Sequence, residues 1–242
     1  MTSSLLRAVE RFLLPNACVV CDRLVSEQVP DRLVCGLCRS RLRPVPAGCA
    51  RCGQPLPPIP PCRFCRDWPT ALADVRSAVW LDDPARAIVH HLKYRDLAAL
   101  GDEAAALIAR HIARPADGLL VPIPLSPRRL RARGYNQAAA IARGLGTLWR
   151  LPVAEALVTR RRETGTQTAL TPEARAANVR GAFHTRRRAA SAHVPPVILV
   201  DDVLTTGATL CAAAAALTNA GWPAVRAVTF ARALPYELRA VG

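Results

Sequence analysis

Two adjacent carboxylates, Asp201 and Asp202, stand between the apolar run Val197-Ile-Leu-Val200 and the hydroxyl-rich stretch Thr205-Thr206-Gly207-Ala208-Thr209. Ionised carboxylates are pure acceptors and suit sugar hydroxyls, whereas threonine hydroxyls and free backbone N–H groups are donors and suit phosphate. The pattern therefore reads as a site for a phosphorylated sugar. The apolar run is short, rich in β-branched residues and preceded by Pro195-Pro196, as expected of a strand buried on both faces of a parallel sheet. Polar residues begin where that strand is expected to end. Cys211 to Leu217, five alanines closed by a leucine, reads as a helix. Its first N–H groups lack partners and sit at the positive end of the helix dipole, which favours a phosphate there. The stretch has neither the lysine and spacing of a Walker A loop nor the three glycines of a dinucleotide-binding turn.

A second anion-binding candidate follows Gly118-Leu-Leu-Val-Pro-Ile-Pro124, another short apolar strand that runs into proline. Here Arg128-Arg-Leu-Arg-Ala-Arg-Gly-Tyr-Asn-Gln137 forms a basic loop ahead of an alanine-rich helix. Pyrophosphate presents several negative oxygens at close spacing. The arginine cluster, with Gly134 and free backbone N–H groups at the helix start, matches it chemically. Both loops would leave the carboxyl ends of strands, where ligands bind in open α/β sheets.

Eight of the nine cysteines form four Cys-x-x-Cys pairs, Cys18/Cys21, Cys35/Cys38, Cys49/Cys52 and Cys62/Cys65. Each turn presents two thiolates to one metal ion, and two turns complete a tetrahedral zinc site. The pairs are separated by thirteen and nine residues, comfortable lengths for zinc-ribbon hairpins, so they are expected to join in sequence order into two structural sites. Iron–sulfur ligation and a thioredoxin-like redox motif are the chemical rivals. The segment is poor in large apolar residues and crowded with proline, as in Pro55-Leu-Pro-Pro-Ile-Pro-Pro61, so metal must replace a core. Arg23, Arg32, Arg39, Arg41, Arg43, Arg51, Arg63 and Arg66 surround these cysteines and suit either phosphate contacts or water. Cys211 stands apart and reads as a small apolar packing residue.

The elements that must position these groups alternate. Val75 to Leu81 reads as a strand, Pro84 to Tyr94 as a helix capped by Asp83, and Leu100 to Ile112 as a second helix. Alternation of this kind argues for an α/β fold with a mainly parallel sheet flanked by helices. The expected division is a cysteine-rich double zinc-ribbon domain over 1–66, with a short helix at its start, and an α/β domain over 67–242. The formal net charge is +15, almost all from arginine, with Lys93 the sole lysine. Such a balance suits phosphate-bearing partners and equally an arginine-rich coding bias. No apolar run approaches the ~20 residues of a membrane span, and Met1 to Leu14 carries Arg7, Glu10 and Arg11, unlike a signal peptide. A cytoplasmic location is the expectation. His90 and His91 sit in a helical stretch and read as packing or surface groups.

The stretch Val197 to Leu210 resembles the phosphoribosyl pyrophosphate signature of the type I phosphoribosyltransferases. Three segments narrow the resemblance to the ComF-type phosphoribosyltransferase-like proteins. They are Pro124 with Arg129, Arg133, Gly134, Tyr135, Asn136 and Gln137; Thr164-Gly-Thr-Gln167 with Arg175, Asn178, Gly181 and Phe183; and the Val197 to Leu210 stretch itself. The paired cysteines are similar to the zinc ribbons such proteins carry, and Tyr135 stands where the family usually has phenylalanine. The resemblance implies a type I phosphoribosyltransferase-like fold, phosphoribosyl pyrophosphate as ligand and Mg²⁺ as its companion. It further implies that Asp201 and Asp202 hold the ribose hydroxyls and that Thr205 to Thr209 wrap the 5-phosphate. Arg160 to Phe183, polar and broken by Pro172, would be a long loop that covers the substrate, with Thr164, Gln167 and Arg175 as contacts. No residue announces a reader for a ribosyl acceptor. The resemblance also implies a part in DNA uptake during natural competence. Against ribosyl transfer stands a non-enzymatic reading, in which the pocket senses a ribose phosphate while ribbons and arginines bind single-stranded DNA or a helicase partner. Aromatic residues are only 5% of the chain, which disfavours base stacking.

Overall fold

The computed structural model describes residues 17–25, 33–55, 62–94, 98–160, 181–185, 194–222 and 225–233. Four strands, β1 (Leu72–Trp80), β2 (Leu119–Pro122), β5 (Val197–Leu204) and β6 (Val225–Arg232), form a fully parallel sheet in the order β1-β6-β5-β2. Two three-residue strands, β3 (Val158–Arg160) and β4 (Phe183–Thr185), pair antiparallel beside it. The helices are α1 (Gly36–Ser40), α2 (Asp83–Tyr94), α3 (Leu100–His111), α4 (Pro127–Arg133), α5 (Gln137–Trp149) and α6 (Ala208–Asn219).

Strand β5 shows why the sheet is a middle layer. Alternate residues of a strand face opposite ways, and Val197 to Val200 are all buried because both faces are covered. Ile198 and Val200 join the core built by α2, α3 and α5. Val197 and Leu199 join the other core, with Leu210, Ala213 and Leu217 of α6 and with Phe183 of β4. The helix that follows β2 thus lies on one face and the helix that follows β5 on the other. Neighbouring parallel strands whose helices leave to opposite sides open a crevice at their carboxyl ends.

Several boundaries differ from the sequence expectation, each for a local reason. Strand β5 does not stop at Val200; it runs through both aspartates to Leu204, because β6 continues alongside with Asp201 opposite Thr229 and Leu204 opposite Arg232. Helix α2 is capped by Asp82 rather than Asp83: Asp82 Oδ1 accepts from the Ala85 N–H at 3.3 Å, while the Asp83 side chain is solvent-exposed. The basic stretch after β2 is not a loop but the helix α4. Ser126 caps it through the Arg129 N–H, Pro127 opens it, and Gly134 ends it in the left-handed conformation at φ 74°.

The cysteine-rich part lies along the outer edge of β1. Pro44 pairs antiparallel with Val79, the Trp80 N–H donates to Arg43 O at 2.8 Å and the Val45 N–H to Ala78 O at 3.1 Å. Two arginines that sequence reading left to phosphate or water are consumed here. Arg39 forms a two-pronged pair with Glu103 of α3, and Arg51 spreads over the carbonyls of Cys65, Trp68, Pro69 and Leu72. Among the described residues no helix is long and apolar enough to cross a membrane.

Candidate functional site

The crevice predicted by the topology is a cavity of about 310 Å³. Its walls come from segments far apart in sequence: α2, the residues after β2 with α4 and the start of α5, the end of β5 with the turn into α6, and Arg160 at the end of β3. Five cations, Arg86, Lys93, Arg129, Arg133 and Arg160, face two carboxylates, Asp201 and Asp202. Such a balance favours a ligand carrying several negative charges.

The two carboxylates have different environments because the strand sends them to different faces. Asp202 falls on the side of α2, where its Oδ2 lies 2.5 Å from Lys93 Nζ, and its side chain is 6% exposed. Among the described residues Asp201 has no such ion pair; its Oδ1 accepts the Asp202 backbone N–H at 2.9 Å. Burial raises the proton affinity of both groups. At Asp202 the Lys93 ammonium overcomes that and holds the carboxyl below its usual range, whereas at Asp201 the charge of Asp202 adds to burial and pushes it well above. Burial likewise opposes the Lys93 ammonium, and Asp202 more than restores it. Lys93 was noted in the sequence only as the sole lysine. Its position one residue from the end of an amphipathic helix gives no sign of its partner.

The phosphate-loop candidates divide between lining and shaping. Thr205 and Thr209 line the cavity. Thr206 Oγ1 accepts the Ala208 N–H at 3.4 Å, and Gly207 is the α6 N-cap at φ 80°, a left-handed position that brings no side-chain acceptor to the helix start. Apart from the Ala208 N–H, which Thr206 takes, the first N–H groups of α6 have no side-chain cap, as suits a phosphate site. Ala208 is the first residue of α6.

The arginine segment divides in the same way. Arg129, Arg133 and Gln137 line the cavity, and Arg133 donates to Gln137 Oε1 at 3.0 Å. Asn136 is a cap: its Oδ1 accepts the Ala138 N–H and its Nδ2 donates to Ile123 O. Gly134 gives the turn between the two helices. Tyr135 donates its hydroxyl to Leu92 O, which ties the arginine segment to the helix bearing Lys93 and gives the tyrosine a role that phenylalanine could not fill. Tyr135→Phe is expected to cost about 1 kcal/mol of unfolding free energy in urea titration; an unchanged midpoint would show the bond to be inert. Thr164, Gln167 and Arg175 lie outside the described residues. Arg160, which sequence reading took only as the start of a loop, is buried against Phe183 with its guanidinium 5.4 Å from the ring centroid.

The cysteines gather as the spacing predicts, into Cys18/Cys21/Cys35/Cys38 and Cys49/Cys52/Cys62/Cys65, with all four Sγ atoms of each set within 4.8 Å of one another. Contacts of 3.8 Å (Cys21–Cys35), 3.8 Å (Cys49–Cys65) and 3.7 Å (Cys52–Cys62) are far too long for disulfides. They match the edge, about 3.8 Å, of a tetrahedron of thiolates about 2.3 Å from a zinc ion. Burial works against charge at Cys18 and Cys49, yet backbone N–H donors lower each thiol to about 7, so each set holds a thiol ready to deprotonate. Both tetrads could hold a structural metal. Cys211, by contrast, is pushed up to about 12 by burial and behaves as packing.

Residues 130–239, which run from within α4 past the end of β6, match the family profile described as phosphoribosyl transferase domain. The chain is 30% identical over 213 residues to the DNA utilization protein YhgH of Salmonella typhimurium, covering 83% of this chain and 91% of that protein. It is also 30% identical over 223 residues to the competence protein ComFC of Bacillus subtilis, covering 84% and 89%. The chain belongs to the ComF family. Competence protein F of Haemophilus influenzae is similar over a shorter stretch, 36% identical over 91 residues. This chain thus carries a phosphoribosyltransferase-type α/β domain with a cysteine-rich segment in front, and the charged crevice is lined by residues of the matched stretch together with α2 and the segment after β2.

Proposed function

We propose that the crevice binds phosphoribosyl pyrophosphate together with Mg²⁺, and that each cysteine tetrad holds a structural zinc ion. The observation that carries the first reading is the placement of five cations and two carboxylates beside a helix N-terminus whose N-cap, Gly207, brings no side chain, at the carboxyl ends of β2 and β5. In this reading Thr205 to Thr209 hold the 5-phosphate through hydroxyls and backbone N–H groups. Arg129 and Arg133 neutralise the pyrophosphate. Asp201 takes the ribose hydroxyls, and Asp202, held by Lys93, fixes the strand beside them. Thr164, Gln167 and Arg175 would come from the covering segment. Mg²⁺ supplies charge neutralisation across the phosphate oxygens. The protein's own contribution to ribosyl transfer is positioning and electrostatic support as negative charge collects on the departing pyrophosphate.

Calorimetric titration of phosphoribosyl pyrophosphate with and without Mg²⁺ tests this. Asp201→Asn is the informative variant, because it removes a carboxyl that the fold already disfavours in its charged form and so spares stability. Binding is expected to need Mg²⁺ and to weaken at least about tenfold in the variant, or about 1.4 kcal/mol. Equal or absent binding in both proteins removes the proposal. The raised proton affinity of Asp201 fixes the pH dependence: its proton must leave before the carboxylate can accept the ribose hydroxyls. Binding therefore strengthens as pH rises through the Asp201 titration and releases protons, and Asp201→Asn abolishes that dependence.

Relatives named for DNA utilization and competence, together with the net charge of +15, support a second reading with a nucleic-acid partner. Arg23, Arg41 and Arg63 are exposed on the cysteine-rich part. In this second reading they contact the phosphates of single-stranded DNA. Fluorescence anisotropy over a salt series should then show affinity that falls steeply with salt; no binding at low salt ends it.

A further inference from the structure

The second cysteine tetrad is joined to the turn between β5 and α6 by one aromatic ring. Trp68 lies three residues beyond Cys65, and its N–H donates to Cys65 O at 3.1 Å. The N–H groups of Cys65 and Arg66 both return to Cys62 O, so 62–68 is a single knuckle. Arg51, between the other two cysteines of the tetrad, clamps it by donating to Cys65 O at 3.0 Å and Trp68 O at 2.9 Å. Phe64 meets Trp68 edge-on at 5.5 Å and carries the guanidinium of Arg232 on its face at 4.5 Å. Arg232, the last residue of β6 and fully buried, donates to Cys52 O and Gln54 Oε1.

On its far side the same Trp68 ring lies under Gly207. A Cβ on that glycine would stand 2.3 Å from Trp68 Cζ2, a separation no side chain could accept. The left-handed residue that aims the α6 N–H groups is therefore seated on a ring whose backbone is held by the tetrad. The first tetrad is placed differently. Cys18, Val34 and Cys38 belong to the core of α2, α3 and α5 on the opposite face of the sheet, and Arg39 beside it pairs with Glu103 of α3.

We propose that Trp68 is a positioning residue for the Thr205–Thr209 turn, and that metal in the second tetrad holds it there, so that phosphate affinity depends on the second tetrad and not on the first. A turn that must be ordered as the ligand binds gives up affinity to that ordering, and a seated one does not. This rests on the reading of the turn as a phosphate cradle. Metal loading would thus set ligand affinity from outside the crevice, without contributing an atom to it.

Ribose 5-phosphate is the probe, titrated into the full chain by calorimetry and by tryptophan fluorescence, with bound metal measured in each preparation. Wild type is expected to bind with a change in emission. Trp68→Phe should keep affinity within about twofold but lose most of that change, because the reporting ring is gone while an aromatic seat remains. Trp68→Ala and Cys62→Ser should each weaken binding about tenfold or more, and Cys35→Ser should not. If Cys62→Ser fails to fold, Trp68→Ala decides alone, since it leaves all four thiols in place. Binding by Trp68→Ala equal to wild type overturns the coupling while leaving the cradle intact. Equal weakening by Cys35→Ser and Cys62→Ser also overturns it. Absence of binding by wild type removes the cradle, and the coupling with it.

Discussion

Lys93→Met should destabilise the protein by about 3–5 kcal/mol at neutral pH, the usual cost of leaving one member of a buried ion pair without its partner. Asp202 is 6% exposed and its Oδ2 lies 2.5 Å from the ammonium. Without the lysine, burial dominates at that carboxyl and its proton affinity rises. The pH dependence has a fixed sign. In the wild type Asp202 is held below its unfolded value, so it contributes stability above about pH 4, and this is lost as pH falls through the folded value. Lys93 is raised above its unfolded value, so its share is complete below about pH 10 and is lost at higher pH. The penalty of the variant should therefore be largest between these limits and shrink in acid. Urea titrations at pH 7 and pH 4 measure it, and Lys93→Met/Asp202→Asn should recover most of the loss because neither charge is then stranded. A single variant as stable as wild type at pH 7 would mean that the pair does not hold the acidic strand end to α2.

Removing metal from the tetrads should have the largest effect. The described cysteine-rich residues contribute few large buried apolar side chains of their own, so the thiolate sites must supply what a core would. Structural zinc in small motifs is worth about 10–16 kcal/mol in apparent binding energy at neutral pH, comparable to or above the ~5–15 kcal/mol net stability of a whole domain. Chelation is expected to lower the melting temperature sharply and to release about two ions per chain, one for each set of four thiolates. Release of one ion, or an unchanged melt after complete metal loss, would contradict the assignment. The Arg51 clamp and the Arg232 anchor add a consequence: the α/β sheet should lose protection at β1 and β6 on metal loss, which hydrogen exchange reads residue by residue.

Much of this site was legible because it is local. The strand, acidic pair, threonine turn and alanine helix are contiguous, and each obeys a short-range rule. The cysteine pairing was legible because Cys-x-x-Cys turns leave few ways to build tetrahedra. What escaped was of two kinds. Helix α4 was hidden by its charge: Ser126, Pro127 and Gly134 are ordinary start and stop signals, but four arginines within six residues drew attention to ligand chemistry instead of caps. Lys93, Arg160 and Arg232 escaped because their partners are long-range. The distance from Lys93 to Asp202 is set by β5 continuing two residues past its apolar run, which depends on β6 pairing beside it. The fates of Arg39 and Arg51 follow the same logic, since nothing near them in the chain distinguishes an arginine that reaches Glu103 or four carbonyls from one that faces water.

The pairing of Pro44 with Val79 has a meaning beyond the ribbons. An outer strand of a parallel sheet offers a row of unsatisfied N–H and C=O groups that another chain can adopt. On the β2 side that row is met by a bridge from Val153 to Leu120. On the β1 side it is met by the strap of 43–45, whose ends run into the two tetrads. Pro44, with no N–H of its own, turns a poor template outward. Metal loss that loosens the strap is therefore expected to free the edge of β1 at Ala78 to Trp80 and to favour self-association there.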